Sequence, residues 1–397
     1  MNAVGSAVRT VLWTVVRAVA MLIWRVPGAE CTHDAPEDSR PNILGHARVR
    51  YCPRHPTWLA HSGPYLLLLL VCGCWSSEAG QPQVVVYTAL DSEFSEPIFA
   101  DFAARTNIKP LAKFDTESTK TVGLTEAIIA EAARTRCDVF WNNEILNTLR
   151  LQERGLLAVY RSPQAEHYPE AFRSPDGTWH GFAARARVLI VNTKLVKQAD
   201  WPDSLLDLAD DRWRGKVGMA KPLFGTTATH AACLFAHWGP EKARDYFLSL
   251  KANDLQIMSG NKQVALAVAA GRLAFGITDT DDAIIELEKG LPVAIIYPDR
   301  NDDQMGTLFI PNTLSIIKDC PHPEAAQQLV DYLLAGEVEQ KLAAGPSAQI
   351  PLRNDLAETA LRVETPRTVK AMPVDFAAAA EQWDTAAMFL RDTFTAP

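Results

Sequence analysis

The sequence predicts an α/β protein of two α/β lobes with its ligand contacts at the strand ends, and three observations carry that reading. Of its 397 residues, 48% are hydrophobic and 22% charged, enough apolar mass for two globular units. From residue 84 onward, short β-branched runs alternate with segments of helical period, as strands covered by helices require. The stretches that follow those strands are rich in hydroxyls, amides and carboxylates, and open parallel sheets place their ligands there.

The front of the chain is different material. Residues 1–73 carry seven Arg and four acids, which leaves 32 basic and 43 acidic residues from Cys74 onward. Within the front, "PYLLLLLVCGC" (64–74) is an apolar run preceded by Arg50 and Arg54, the layout of a secretory signal and too short to span a bilayer. It ends in "VCGC", similar to a bacterial lipobox, although Cys72 stands where a small or hydroxyl residue is usual. Cys74 is then the expected lipidated N-terminus. The upstream run "VRTVLWTVVRAVAMLIWRV" (8–26) fits this picture poorly; a start codon placed too far upstream is expected, with a tandem membrane anchor as the alternative. The net charge of −8 and the lack of a Lys/Arg-rich run argue against nucleic acid as a partner. The cysteines after Cys74, namely Cys137, Cys233 and Cys320, are odd in number and read as buried or isolated thiols rather than a disulfide framework or a zinc site.

After the polar tether "SSEAGQPQ" (76–83) the elements follow in order. "VVVYTA" (84–89) is a β-branched strand. "SEPIFADFAARTN" (95–107) sets Ile98, Phe99, Phe102 and Ala103 on one helical face, with Ser95 as N-cap and Pro97 in the first turn. Helix 121–135, strand 137–141, helix 145–154 and strand 187–192 repeat the unit. Past "WPDSLLDLADDRWRGKVGMAKP" (201–222), helices at 226–237, 240–251, 261–270 and 281–289 alternate with strands "KVGMA", "LAFGIT" (273–278) and "PVAIIYP" (292–298). Such alternation predicts mostly parallel sheets.

Five strand-end stretches are candidates for ligand contact: "TALDSE" (88–93), "WNNE" (141–144), "LFGTT" (223–227), "SGNKQ" (259–263) and "TDTDD" (278–282). Helix-start N–H groups there suit an oxyanion or a polyol. In the last stretch Asp279 fits an N-cap with Asp282 three positions on, a box-like arrangement. An EF-hand calcium loop is excluded, because Ile284 and Gly290 occupy the places that need Gly and Glu. Arg185 and Arg187 enter the second lobe as a pair able to clamp an anion or to form an interlobe ion pair. Trp141 and Trp179 read as core or cleft wall, and His230 and His237 lie two turns apart, too far for one metal. No GxSxG, HExxH or P-loop signature occurs, and Cys233 lies on an apolar helical face rather than at a helix start beside a base.

Over about residues 84–355, "VVVYTA", "DVFWNNE", "RARVLIVN", "WRGKVGMAKP", "GNKQVALAVAAGRLAFGI", "GTLFIPNTLSIIK", "PHPEAAQQLVDYLLAGEVEQKLA" and "SAQIPLR" together resemble the periplasmic ferric-ion-binding proteins and the family 1 extracellular solute-binding proteins of ABC transporters. The resemblance implies a type II periplasmic-binding-protein fold: two α/β lobes, a strand hinge and an enclosed ligand. It implies a tether at 74–83, lobe 1 at 84–186 plus about 304–345, and lobe 2 at 187–303 plus about 346–397. Two adjacent tyrosines that bind ferric iron in such proteins match Thr280 and Asp281 here, and a His ligand matches Asp91. Phe224, Gly225 and Thr226 match the anion-cradling turn, and Asn261 matches an oxyanion-binding residue. The implied contacts are Thr88, Asp91, Asn143, Glu144, Arg187, Gly225, Thr226, Asn261, Asp279 and Asp281, with Asp279 and Asp281 also as metal ligands. The expected role is capture of ferric iron with a synergistic anion, or of a small organic anion such as a phosphonate or sugar phosphate, for an ABC permease and ATPase, by a lipid-anchored periplasmic protein that catalyses nothing and needs no cofactor beyond a bound metal ion. An enzyme on the same scaffold and a ligand-sensing receptor domain are the rivals.

Overall fold

The computed structural model describes residues 81–115, 121–356 and 362–395. The N-terminal extension, the lipobox and Cys74 lie outside the described residues. No helix among the described residues is long and apolar enough to cross a membrane.

The first half runs β1 (Gln83–Thr88), α1 (Ser92–Thr106), β2 (Lys109–Phe114), α2 (Val122–Ala130), β3 (Val139–Asn142) and α3 (Leu146–Glu153). The long strand β4 (His180–Asn192) leads to β5 (Val217–Ala220), α4 (Gly225–Trp238), α5 (Pro240–Ala252), β6 (Gln256–Met258), α6 (Asn261–Ala269), β7 (Phe275–Asp279), α7 (Thr280–Glu288) and β8 (Val293–Ile296). Strand β9 (Phe309–Ile316), then α8 (Pro323–Leu333), α9 (Gly336–Ala344), α10 (Phe376–Glu381) and α11 (Trp383–Phe394) close the chain. The strands connect in the order β2-β1-β3-β9-β4-β7-β5-β6, with β8 also on β4.

The fold is α/β, but the sheet is mixed rather than mostly parallel. Pairs β1/β2, β1/β3, β5/β6 and β5/β7 are parallel, as βαβ units require. The return strands β4 and β9 pair antiparallel with β7, β8, β3 and each other. All thirteen residues of β4 are buried, because its first half pairs with β9 and its second with β7 and β8. The sequence pattern marks only its apolar end, 187–192; the Ala- and Arg-containing start does not read as a strand. Edge strand β2, "KPLAKF", is likewise silent in the pattern: it is only partly buried and carries Lys109, Pro110 and Lys113, residues that suit an unpaired sheet edge.

Between Phe182 and Arg185 the β4/β9 register slips. Phe182 faces Asn312 and Arg185 faces Ile310, so three steps on β4 match two on β9, a β-bulge. Within it Ala183 takes a positive φ of 42°. Its N–H donates to Glu339 Oε1 at 2.7 Å, and its carbonyl accepts from the Asn312 amide. Opposed residues share a sheet face, so the bulge puts Phe182, Arg185 and Arg187 on one face.

One apolar cluster joins Val84, Val86, Phe99, Phe102 and Trp141 to Leu329 and Val330; the Phe99 and Trp141 rings meet edge to face at 5.7 Å. A second joins Val217, Met219, Phe235, Phe275 and Leu390, and takes in Ile145, Leu146 and Leu149 around α3. Trp141 is fully buried and Trp179 nearly so. Each fully buried Phe or Leu contributes roughly 1.5–3 kcal/mol. Cys137 and Cys233 are buried, Cys320 is half-buried, and all three are free thiols.

Candidate functional site

Four helices begin beside one cavity. The start of α1 brings Asp91, Glu93 and Phe94; facing them, α4 brings Gly225 and Thr226, α6 brings Asn261 and Lys262, and α7 brings Asp281, Asp282 and Ile285. Asn143, Arg185 and Asp279 complete a cavity of about 60 Å³. Its walls hold five carboxylates against two basic side chains. Gly225 begins α4 at φ 56°, and a Cβ there would meet nothing within 4 Å, so its backbone lies open to the space.

Seven of the ten residues expected to touch ligand meet in this cavity: Asp91, Asn143, Gly225, Thr226, Asn261, Asp279 and Asp281. The other three are absent from its lining. Thr88 is fully buried, and its hydroxyl accepts from the Leu90 N–H at 3.2 Å, holding the turn after β1. Glu144 is also fully buried, and its carboxylate accepts from Leu146 N at 2.6 Å, Asn147 N at 3.0 Å, Asn142 Nδ2 at 2.8 Å and Thr229 Oγ1 at 2.7 Å. It caps α3 and ties it to α4, so its lone pairs are spent inside the fold. Arg187, 1% exposed, lies behind the wall.

Arg187 organises that wall. Its Nη1 donates to Asp279 Oδ1 at 2.6 Å and to Thr226 Oγ1 and Asn261 Oδ1 at 3.2 Å each, and Nη2 donates to Thr227 Oγ1 at 3.3 Å. Asp279 Oδ2 accepts from Thr226 Oγ1 at 2.5 Å and Asn261 Nδ2 at 2.9 Å. Asp279 does sit at the N-cap position of α7, yet it makes no side-chain cap bond. The box-like cap expected with Asp282 is therefore not formed: the buried guanidinium claims the carboxylate instead. Ser95 is likewise not an N-cap. It lies inside α1, which begins after Asp91, and its hydroxyl donates to the Asp91 carbonyl at 3.0 Å.

Arg185, rather than Arg187, is the arginine in the cavity wall. Its Nη1 donates to the Asn143 carbonyl at 2.8 Å, and its Nε lies 3.1 Å from Asp281 Oδ2. Burial opposes its charge, but Asp281, Asp279, Asp282 and Asp91 together hold the guanidinium above its ordinary range. Its Nη2 is buried without a hydrogen-bond partner, as is Asn143 Oδ1. One oxygen of each of Asp279, Asp281 and Asp282 lies within 4.8 Å of the others. Neither Tyr, His nor Cys lines the cavity. Thr280, at the place of a family tyrosine, is fully buried, and its hydroxyl accepts from the Ala186 N–H at 3.1 Å. Glu93 and Lys262 were present in the strand-end stretches but were not singled out, and Asp282 was read as a cap partner rather than a ligand contact, because capping explains such residues equally well. Arg185 and Arg187 share one face of β4, so strand parity does not distinguish them; their partners do.

This geometry matches a known class. The family model for a bacterial extracellular solute-binding protein matches residues 148–381. The chain belongs to that family. Among curated proteins, this solute-binding protein is similar to "Iron uptake protein A2" of Synechocystis, 28% identical over 240 residues that cover 56% of this chain and 67% of the relative. Among solved structures it is similar to iron-bound HitA from Pseudomonas aeruginosa, at 25% identity and a TM-score of 0.72, covering 79% of this chain and 99% of that one. It also shares its fold with AfuA from Actinobacillus pleuropneumoniae, solved with fructose-6-phosphate, at 23% identity and a TM-score of 0.70, covering 80% and 100%. These are type II periplasmic-binding-protein folds, and the protein is a solute binder rather than an enzyme.

Proposed function

We propose that this solute-binding protein serves an ABC importer by capturing ferric iron with a small oxyanion in its cleft and delivering it to a membrane permease and ATPase. The observation that carries this reading is the meeting of Asp279, Asp281 and Asp282 in a cavity that Asp91 and Glu93 enter from the opposite wall. Carboxylate oxygens are hard donors suited to a highly charged cation. The starts of α4 and α6 supply donors for an accompanying anion, beside the positive charge of Arg185 in the wall. The space of about 60 Å³ beside the three aspartates suits an ion and a few oxygens, and the adjoining space of about 460 Å³, which shares Asp91, Glu93 and Lys262, has room for an accompanying anion. The names of relatives, iron uptake and iron-bound among them, support iron as the cation.

We assign lobe 1 to 84–186 with about 304–345 and lobe 2 to 187–303 with about 346–397, closing on the ligand by bending at β4 and β9. The placement is periplasmic, with a lipid on Cys74. Chelator-stripped protein titrated with ferric citrate is expected to take up about one iron per chain, as one cavity of this size requires, with iron counted by elemental analysis. No uptake by the wild type would sink the iron reading. A retained organic phosphate with no metal, found by native mass spectrometry of protein as isolated, would favour the second reading, a small organic anion seated on the same helix starts. Mass analysis of the N-terminus from membranes tests acylation of Cys74; an unmodified cysteine there overturns the anchor.

A further inference from the structure

The cleft is two spaces that meet. The smaller lies beside the three aspartates, and the larger is lined by Ser92, Phe114, Asp115 and Gln263 among others; both are lined by Asp91, Glu93 and Lys262. Those three residues are therefore the boundary between the spaces. Asp91 and Glu93 come from the start of α1 and Lys262 from the start of α6, so the boundary is built from both walls of the cleft.

Across it runs an ion pair. Lys262 Nζ lies 3.9 Å from Glu93 Oε1, with the side chains 52% and 58% exposed. The Arg185 contact with Asp281 is mostly buried; the Glu93 and Lys262 charges, by contrast, can part into water at little cost. Helix stability accounts for only one of the two. Glu93, in the first turn of α1, complements the positive end of that helix, whereas Lys262, the second residue of α6, opposes its own. The lysine gains its counter-charge from the facing wall.

We propose that the pair of Glu93 and Lys262 is a latch on the cleft: it ties α1 to α6 at the boundary of the two spaces and parts each time the cleft opens to take up or release its ligand. Resting on the capture by closure proposed above, this gives Lys262 a role in the timing of exchange rather than as a ligand contact. An exposed pair is weak, so the latch slows exchange by a few fold and does not seal the cleft, and added salt loosens it.

The test follows release of ferric iron from the loaded full chain into excess chelator, in the wild type, Lys262→Met, Lys262→Arg, Glu93→Gln and the double variant of Glu93→Gln with Lys262→Met. Release is expected to quicken about two- to fivefold in Lys262→Met, the size of an exposed pair, to stay near the wild-type rate in Lys262→Arg, and to be no faster in the double variant than in Glu93→Gln alone. Charge by itself acts the other way, because removing a cation from beside a bound cation holds the metal more tightly. Unchanged or slower release from Lys262→Met therefore overturns the latch, as do additive effects in the double variant. The latch is also read in the metal-free chain, by hydrogen exchange of the Ser95 and Val264 amides, which bond back to Asp91 and Gly260 in the first turns of α1 and α6. Faster exchange in Lys262→Met than in the wild type supports it and identical exchange overturns it, whether or not iron binds; a wild type that takes up no iron sinks the iron reading alone.

Discussion

The Arg187 guanidinium donates to the Asp279 carboxylate at 2.6 Å with both side chains shut away from solvent. The pair sets the back wall of the cleft and holds the Asp279 carboxylate at the cavity. Removing one partner strands the other without water. Arg187→Leu is expected to lower the unfolding free energy by about 3–5 kcal/mol, the cost of breaking a buried pair, measured by urea denaturation. A loss under about 1 kcal/mol, the size of a surface pair, would mean that the pair is solvated.

Asp281 faces the cavity at its Arg185 contact. Asp281→Asn keeps the shape and removes the charge. We expect iron affinity to fall about tenfold or more, which is about 1.4 kcal/mol, and stability to fall by about 1–3 kcal/mol, because the buried Arg185 loses its nearest counter-charge. Competition titration against a chelator reads the first and urea denaturation the second. An unaltered iron affinity would take Asp281 out of the metal site.

Thr280 points its hydroxyl at the Ala186 N–H, and no tyrosine lines the cavity. Iron bound here therefore has no phenolate ligand. Iron-loaded protein is expected to lack an intense visible charge-transfer band, checked by absorption spectroscopy on samples of known iron content. A red-brown solution would contradict the carboxylate site.

Gly276 in β7 has no room for a side chain. A Cβ there would lie 2.6 Å from Val264 Cγ1 and 2.7 Å from the Gly218 carbonyl oxygen. The oxygen belongs to the neighbouring strand and cannot rotate away. Gly276→Ala is expected to cost about 1–3 kcal/mol by overpacking, seen as a lower urea midpoint. An unshifted midpoint would show that β5 and β7 can separate locally.

Burial, helped by the nearby Arg187 charge, holds the His230 imidazole well below its ordinary value of 6.5. In the unfolded chain the ring takes its proton near pH 6.5. Below that pH the unfolded state binds a proton that the native state refuses, so stability is full above about 6.5 and declines as pH falls. The thermal midpoint is expected to drop between about pH 7.5 and pH 5.5, on either side of that value, and to drop less in His230→Phe. Equal drops in both proteins would remove His230 as a cause.

Much of this was legible in the residues themselves. Runs such as "VVVYTA" and "LAFGIT" fix strands by β-branching and burial, and the five strand-end stretches all border the cleft or its supporting wall. What stayed hidden has physical reasons. "HGFAARA" became strand because β9 was available to pair with it, a long-range event that local pattern does not encode. Glu144 and Asn143 are adjacent polar residues with nothing in their types to say that one caps α3 and the other lines the cavity. Arg185 and Arg187 differ only in what the fold sets beside them.

The bulge at Ala183 makes the molecule sensitive to chain length at one point. Side-chain alternation has a period of two, so excising a single residue there would turn every later position of β4 over. Arg185 and Arg187 would then project toward the opposite side, and Val188 and Ile190 would trade apolar clusters with Leu189 and Val191. Evolution can exchange residues along this strand far more readily than it can shorten it.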